Sequence, residues 1–469
     1  MSRRLIGPVD TIWLNMDRPN NLMVIDSVMV LEGPVDWDRL LEVYRRRLLD
    51  RYPVFTQRPV QPAAHVGAPH WEDDPDFDEE RHISRVRLAR GDDTALQDYI
   101  AGRTSLPFDR SHPLWELHLI DGYDGGSVIY TRLHHALADG IALARILLSL
   151  TDAAPEGDLV EVEEEEPTPP PMGILDGALQ VVSAAGSAAA AAASAATAAG
   201  AQLLREAPRL LDPHVVGDAF TQAERAGAVA NKLVLGPHPH APFSGTPGIE
   251  KRVVWCEPFP LADVKYVGRL AGATVNDVLM ALVAGALASY IRKQGGTPED
   301  VSTMVPVNVR PLDEPLPRFL GNRFALVLFK LPLGVDSPFA RIAETKRRMD
   351  VIKHSPEVFL NMELIKAIGR TGPELEYFLV NFFGAKAIGV TTNVPGPREP
   401  RYLAGRRITR ILGWNPMSGD QTVSTSIFSY DGQVHVGFRV DLDRVPHPEE
   451  LVTAFEAEVG DLVRFSHAV

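Results

Sequence analysis

The chain has 469 residues, with 47 Lys and Arg against 61 Asp and Glu, a formal net charge of −14, and 45% hydrophobic and 23% charged residues. That length predicts two or three domains and that balance a folded chain, which excludes a disordered polymer, a collagen-like fibre and a polytopic membrane protein. The acidic surplus argues against non-specific nucleic-acid binding, and a single cysteine, Cys256, leaves no intrachain disulfide and no cysteine-rich metal site.

At the N-terminus, MSRRLIGPVDTIW carries Pro8 and Asp10, which interrupt the apolar run before it reaches the length of a secretory leader. Residues 1–154 then alternate strand-like runs (MVIDSVMVLEG, SVIYTRLHH) with helical ones (WDRLLEVYRRRLLD, IALARILLSL). Residues 155–250 change character and read as a crossover linker. An acidic run, EGDLVEVEEEE, is followed by PTPPP, which continues neither a helix nor a central strand. An Ala-rich stretch, Gly177 to Leu204, has 28 residues without a charge, 14 of them alanine. It is too weakly apolar for a membrane span and is expected to be a helix. Residues 251–469 resume the mixture, with strands at VSTMVPVNVR, FALVLFKLPL, KAIGVTTNV and GQVHVGFRVDL and helices at TVNDVLMALVAGALASYIRK and PFARIAETKRRMDVIKH. The expected fold class is therefore α/β, in a mixed α+β arrangement, with two halves joined by the crossover.

The most informative segment is HHALADG. His134 and His135 stand where a buried strand runs out, and Asp139 and Gly140 stand where the next helix begins. A histidine held by both elements can be presented rigidly at a cleft. Strand alternation sends the two rings to opposite faces, so one of them faces a given substrate. Neutral imidazole, with a reference pKa near ~6.5, can take a proton from a hydroxyl at neutral pH. Asp139 can cap the helix or pair with an arginine, and Gly140 removes side-chain bulk. An isolated His-His pair would favour two satisfied core histidines; the four fixed positions HHxxxDG turn the reading to catalysis. The sequence has no GxSxG elbow, no phosphate loop and no HExxH. His238 and His240 lie in a Pro-rich loop without nearby carboxylates, so a solvated loop is preferred to a metal site. Cys256 has no local catalytic signature and reads as a buried thiol.

HHALADG resembles the HHxxxDG motif of acyl-CoA-dependent acyltransferases with chloramphenicol-acetyltransferase-like domains. Pro113-Leu114-Trp115, Asn276-Asp277 and Asn393-Val394-Pro395-Gly396-Pro397 narrow the resemblance to the bacterial wax ester synthase/diacylglycerol acyltransferase family. PVDTIW, PVNVR with Gly321-Asn322 downstream, and SYDGQVHVGF agree and stand in the same order. One departure is Ser244-Gly245-Thr246-Pro247, where members often carry an asparagine-glycine-proline turn.

The resemblance implies two chloramphenicol-acetyltransferase-like sandwich domains with a tunnel at their interface. It implies transfer of a long acyl chain from acyl-CoA, a co-substrate, to diacylglycerol or a fatty alcohol, giving triacylglycerol or wax ester. By motif position His135 is the base, His134 supports it, Asp139 is structural through an arginine pair and Gly140 leaves room for substrate. No metal, cofactor or covalent acyl-enzyme is required, because the thioester already activates the acyl group. Asn276 can help at the developing oxyanion, or Asn276 or Asp277 can simply cap its helix. Trp115 in the Pro113-Leu114-Trp115 motif is expected to pack, and Asn393 to Pro397 to form a rigid turn shaping the tunnel.

The partners implied are acyl-CoA and a lipid alcohol, without nucleic acid, and the expected location is cytoplasmic, peripheral to membrane or lipid inclusions. Three segments are candidates for lipid contact. Glu376 to Gly384, near Lys366, Arg370 and Lys386, is either an aromatic interfacial patch or a core helix. Lys346-Arg347-Arg348 can meet CoA phosphates or anionic lipid, or form a solvated helix face. The Ala-rich helix is the third. Two other readings remain at this point: a condensation-type transferase using a carrier-protein thioester, and a non-catalytic lipid-body-binding protein.

Overall fold

The computed structural model describes residues 3–61, 69–157, 241–308, 316–322, 324–355, 361, 365 and 384–467. The acidic run, the Pro cluster, the Ala-rich helix, His238, His240, Lys366, Arg370 and residues 376–383 lie outside the described residues.

The first half is built on a six-stranded sheet. Its order is Tyr402–Leu403, Arg406–Trp414, Val24–Leu31, Gly126–His134, Trp115–Tyr123 and Ile83–Arg87. All neighbours are antiparallel except the last pair. The strand Gly126–His134 is buried along its whole length, its apolar residues and its polar Ser127, Thr131, Arg132 and His134 alike. Helices Pro8–Met16, Trp37–Tyr44 and Gly140–Ser149 contribute to the core on one side, with Leu14, Leu40, Val43, Leu143 and Ile146 buried there.

The second half centres on Thr391–Pro395, Val423–Tyr430, Gln433–Asp441 and Lys251–Trp255, with the short Phe259–Pro260 on Gln433–Asp441. A two-stranded ribbon, Val301–Asn308 with Phe324–Leu331, joins it through a bridge between Met304 and Val390. Leu261–Leu270, Val275–Lys293, Pro338–Lys353 and Pro448–His467 are its helices. Val275–Lys293, with 19 residues, is long and apolar enough to cross a membrane by length and composition, but it is the central helix of this core, with 14 of its residues buried.

Each half turns its central hairpin on Asp-Gly. Asp124 and Gly125 have φ of 48° and 72°, and Asp431 and Gly432 have 46° and 74°. Two consecutive left-handed residues make the tight turn whose twist suits a hairpin, and the Asp-Gly pair tolerates it.

The expected division at residue 251 needs one correction. Arg406–Trp414 belongs by sequence to the second half, yet it pairs with Val24–Leu31 in the first half's sheet, from Ile408↔Leu31 to Trp414↔Asp26. This pairing covers an edge that Val24–Leu31 would otherwise leave open. Buried charges reinforce the joint. Asp26, fully buried, accepts from Tyr130 Oη at 2.6 Å and Arg439 Nη1 at 2.9 Å, with Arg132 Nε 3.6 Å away. Arg439 comes from the second half and also donates to the Val24 carbonyl at 3.1 Å. Removing either partner of such a pair leaves an uncompensated buried charge, typically at ~3–5 kcal/mol.

Candidate active site

The histidine strand ends at His134, whose N–H donates to the Leu114 carbonyl at 3.0 Å. The Pro113-Leu114-Trp115 segment thus pins the strand end. Trp115 is buried: its indole N–H donates to the Phe55 carbonyl at 2.8 Å and its ring stacks on His82 at 4.8 Å, so it packs as expected.

His134 turns away from the cavity. Its Nδ1 accepts the Ala136 N–H at 3.1 Å, which places the ring proton on Nε2, facing Asp17 Oδ2 at 3.1 Å. Asp17 also accepts the Met23 N–H at 2.6 Å and an Arg110 N–H at 3.1 Å. Burial alone would raise the Asp17 carboxyl, but His134, the Met23 amide and Arg110 together hold it at about 2. His134 is therefore a brace for the turn that follows it.

His135 is the first residue past the strand and lines the large cavity. Its N–H donates to the Met23 carbonyl at 2.8 Å, and its own carbonyl accepts from Asn322 Nδ2 at 2.9 Å. The Trp13 ring lies against the imidazole, centroids 4.3 Å apart. Burial lowers the His135 pKa to about 4, with His134 adding to the fall while its own carbonyl and the Asn322 side chain oppose it. The ring is neutral at physiological pH, as a proton acceptor must be.

Asp139 is the N-cap of Gly140–Ser149: its side chain accepts the Ala142 N–H at 2.8 Å. Of the two roles open to it, the cap is the one this contact supplies. Gly140 lines the cavity, and a Cβ placed on it would meet no atom within 4 Å. The helix then presents Ile141, Ala144 and Leu148 to the same space.

The cavity encloses about 1430 Å³, open solvent at its mouth included, and both halves line it. Ile25, Ser27 and Met29 come from one face of Val24–Leu31, Ile411 and Gly413 from the strand beside it, and Thr392, Asn393 and Phe428 from the second half. The walls are mainly apolar, with a minority of polar groups such as Asn415 and Gln421.

The Asn276-Asp277 pair calls for a correction. The cap of Val275–Lys293 is Thr274, and Asp277 is its reciprocal partner: Thr274 Oγ1 accepts the Asp277 N–H at 3.2 Å while Asp277 accepts the Thr274 N–H at 2.9 Å. The physical reason is a Thr-x-x-Asp capping box, which starts the helix before Asn276. Asn276 accepts instead from Asn393 Nδ2 at 3.2 Å, and it is Asn393 that lines the cavity. Pro395 ends its strand, and Gly396 cannot carry a side chain: a Cβ would lie 2.5 Å from both the Phe428 ring and the Ser429 carbonyl.

Four residues at this site have no role assigned by sequence. Trp13 and Asp10 lie within PVDTIW, and Asn322 follows Gly321; both segments carried the resemblance without a role. Asp17 had no local signal, because its partner is 117 residues away. Cys256 is buried and its thiol is pushed well up by burial, in keeping with a bland core position. Lys346 is paired with Asp350, and Arg347 and Arg348 with Glu344, on their own helix, and Arg348 also meets Asp300.

The model of the wax ester synthase/diacylglycerol acyltransferase catalytic domain matches residues 6–279, and that of the family's C-terminal domain matches residues 320–462. The chain belongs to this family. A probable diacylglycerol O-acyltransferase of Mycobacterium tuberculosis and a putative one of Mycobacterium bovis are each 28% identical, over 95% of this chain and 92% of theirs. In fold, the chain is similar to a wax ester synthase/diacylglycerol acyltransferase from Marinobacter aquaeolei VT8, with TM-score 0.68, 19% identity and 99% and 100% of the two chains covered. It is also similar to the first condensation domain of the calcium-dependent antibiotic synthetase, with TM-score 0.58, 17% identity and coverage of 99% and 96%. The two halves are thus chloramphenicol-acetyltransferase-like, and this wax ester synthase/diacylglycerol acyltransferase family member is an acyltransferase.

Proposed function

We propose that the protein transfers a long acyl chain from acyl-CoA to a lipid alcohol, either diacylglycerol or a fatty alcohol, with His135 as general base and no acyl-enzyme. The observation that carries this is a neutral imidazole, fixed through both its backbone groups, facing a mainly apolar cavity between the halves. The imidazole takes the proton of the acceptor hydroxyl as its oxygen attacks the thioester carbonyl. The tetrahedral intermediate then expels CoA thiolate, which recovers the proton from the imidazolium. The ester bond forms, the thioester bond breaks and the base is regenerated, so the chemistry needs neither metal nor cofactor. Ile25, Met29, Leu143, Leu147, Ile411 and Phe428 suit an acyl chain.

We place the protein in the cytoplasm, against membrane or lipid inclusions. The paired helix Pro338–Lys353 is a poor candidate for that contact. Better suited is the corner where Leu5 and Phe319, 67% and 55% exposed, stand beside Arg3, Arg4 and Arg318. Arg4 lies 5.4 Å from the Phe319 ring centre, and Arg3 pairs with Glu72 at 3.5 Å. Two bulky apolar tips among arginines, in a chain of net charge −14, match an anionic lipid surface.

The test is product analysis with palmitoyl-CoA and competing dioleoylglycerol and hexadecanol. Free thiol is expected only when a hydroxyl acceptor is present, and one or both esters should form. Turnover confined to a carrier-protein thioester, or lipid binding without turnover, would overturn the proposal.

A further inference from the structure

The catalytic turn is also held by residues far from it in sequence. Asn322 stands two positions before the strand Phe324–Leu331 and reaches His135 across 187 positions. Its backbone N–H and its Nδ2 both donate to Asp10 Oδ1, at 2.9 and 2.7 Å, and the same Nδ2 donates to the His135 carbonyl at 2.9 Å. The two hydrogens of one amide nitrogen thus join a buried carboxylate to the backbone of the base. Asp10, 5% exposed, stands in the first turn of Pro8–Met16. One turn on, the same helix supplies Trp13, whose ring lies against the imidazole.

The packing leaves room for this arrangement and little else. A Cβ on Gly7 would lie 3.0 Å from Asp10 Oδ2, and one on Gly321 3.2 Å from the same atom. Two glycines flanking a carboxylate let the chain close around it where side chains would compete for the space. The Met23 carbonyl fixes the His135 N–H and Asn322 fixes its carbonyl, so the backbone of the base is clamped on both sides.

We propose that Asn322, held in place by Asp10, is the positioning residue for His135: it fixes the backbone from which the imidazole projects into the cavity. The inference rests on the proposed role of His135 as the base. Electrostatics agree. Burial depresses the imidazole, and the Asn322 side chain acts in the opposite sense. Burial in turn raises Asp10 to about 6, against the opposing effects of Asn322, Arg4 and the Gly7 backbone.

The test uses Asn322→Ala, Asp10→Asn and the exchanged pair Asp10→Asn/Asn322→Asp in the full chain, with palmitoyl-CoA and whichever of dioleoylglycerol and hexadecanol the wild type esterifies. In Asn322→Ala, kcat should fall on the order of ten- to a hundredfold, the penalty of a misplaced catalytic group, with KM within about twofold. The acid limb of its kcat/KM profile should move to lower pH. The exchanged pair restores a donor–acceptor contact between positions 10 and 322 but leaves the His135 carbonyl without its donor. It should therefore regain the Tm lost in Asp10→Asn without regaining kcat. An Asn322→Ala enzyme with unchanged kcat and pH profile would overturn the proposal. So would an exchanged pair in which kcat recovers in step with Tm. If His135→Ala keeps its activity, the base itself is misassigned; if His135→Ala is inactive while Asn322→Ala is fully active, only the positioning role fails.

Discussion

Asp17→Asn removes the charge on which His134 is braced and keeps nearly the same shape. In the native protein the Asp17 carboxyl is held at about 2 rather than its ordinary 3.8, burial being outweighed by His134, Met23 and Arg110. The side chain is 16% exposed, so solvent screening is slight. At about 1.36 kcal/mol per unit, the charged form contributes about 2 kcal/mol at neutral pH. An asparagine amide turned toward His134 would set donor against donor and leave the Nε2–H buried without an acceptor, which adds roughly 1–3 kcal/mol. Since this is an acid with a depressed pKa, its contribution is complete above pH 3.8 and disappears as pH falls through about 2. The assay is denaturant unfolding followed by tryptophan fluorescence at pH 7, 4.5 and 2.5. The variant's midpoint should lie well below wild type at pH 7 and 4.5, and the gap should narrow at pH 2.5. A loosened His134 also frees the Ala136 amide, so kcat should drop with stability. Equal midpoints at pH 7, or a gap that widens toward acid, would refute the reasoning.

Two further outcomes follow from the cavity and its base. Gly140→Ala should leave Tm unchanged or slightly raised, because the first residue of a helix gains from alanine's lower unfolded-state freedom and the new methyl meets no atom. It should nevertheless reduce kcat/KM for long-chain substrates, since that methyl enters the cavity; unaltered kinetics would show that the glycine leaves no needed space. Because His135 sits at about 4, kcat/KM should be flat from pH 5 to 8 and fall as pH drops through about 4. A half-maximum near pH 6.5 would mean that the base is not buried as described.

Features encoded by neighbouring residues were legible in the sequence. The HHxxxDG turn and the Asp139 cap each depend on residues a few positions apart, so their geometry follows from local chemistry; the two Asp-Gly hairpins are as local but were not among the expectations. The Thr274-x-x-Asp277 box was equally local and was passed over in favour of Asn276. What stayed hidden was non-local. Nothing in DRPN marks Asp17 as the partner of a histidine, and nothing in RRITRILGW says that this strand crosses into the first sheet. Gly321-Asn322 entered through resemblance alone, because the bonds to Asp10 and His135 span 312 and 187 positions. Asp26, Arg132 and Arg439 are a similar case, since three charges from three strands become one buried cluster only after the halves close.

The central claim is that His135 is the general base, and the most direct measurement is thiol release from palmitoyl-CoA with hexadecanol by His135→Ala, beside His134→Ala. The account predicts a well-folded His135→Ala protein that still binds acyl-CoA but has lost kcat by about 100- to 10,000-fold, the usual worth of a positioned base. His134→Ala should instead lose both stability and rate. A His135→Ala enzyme turning over at the wild-type rate would contradict the account.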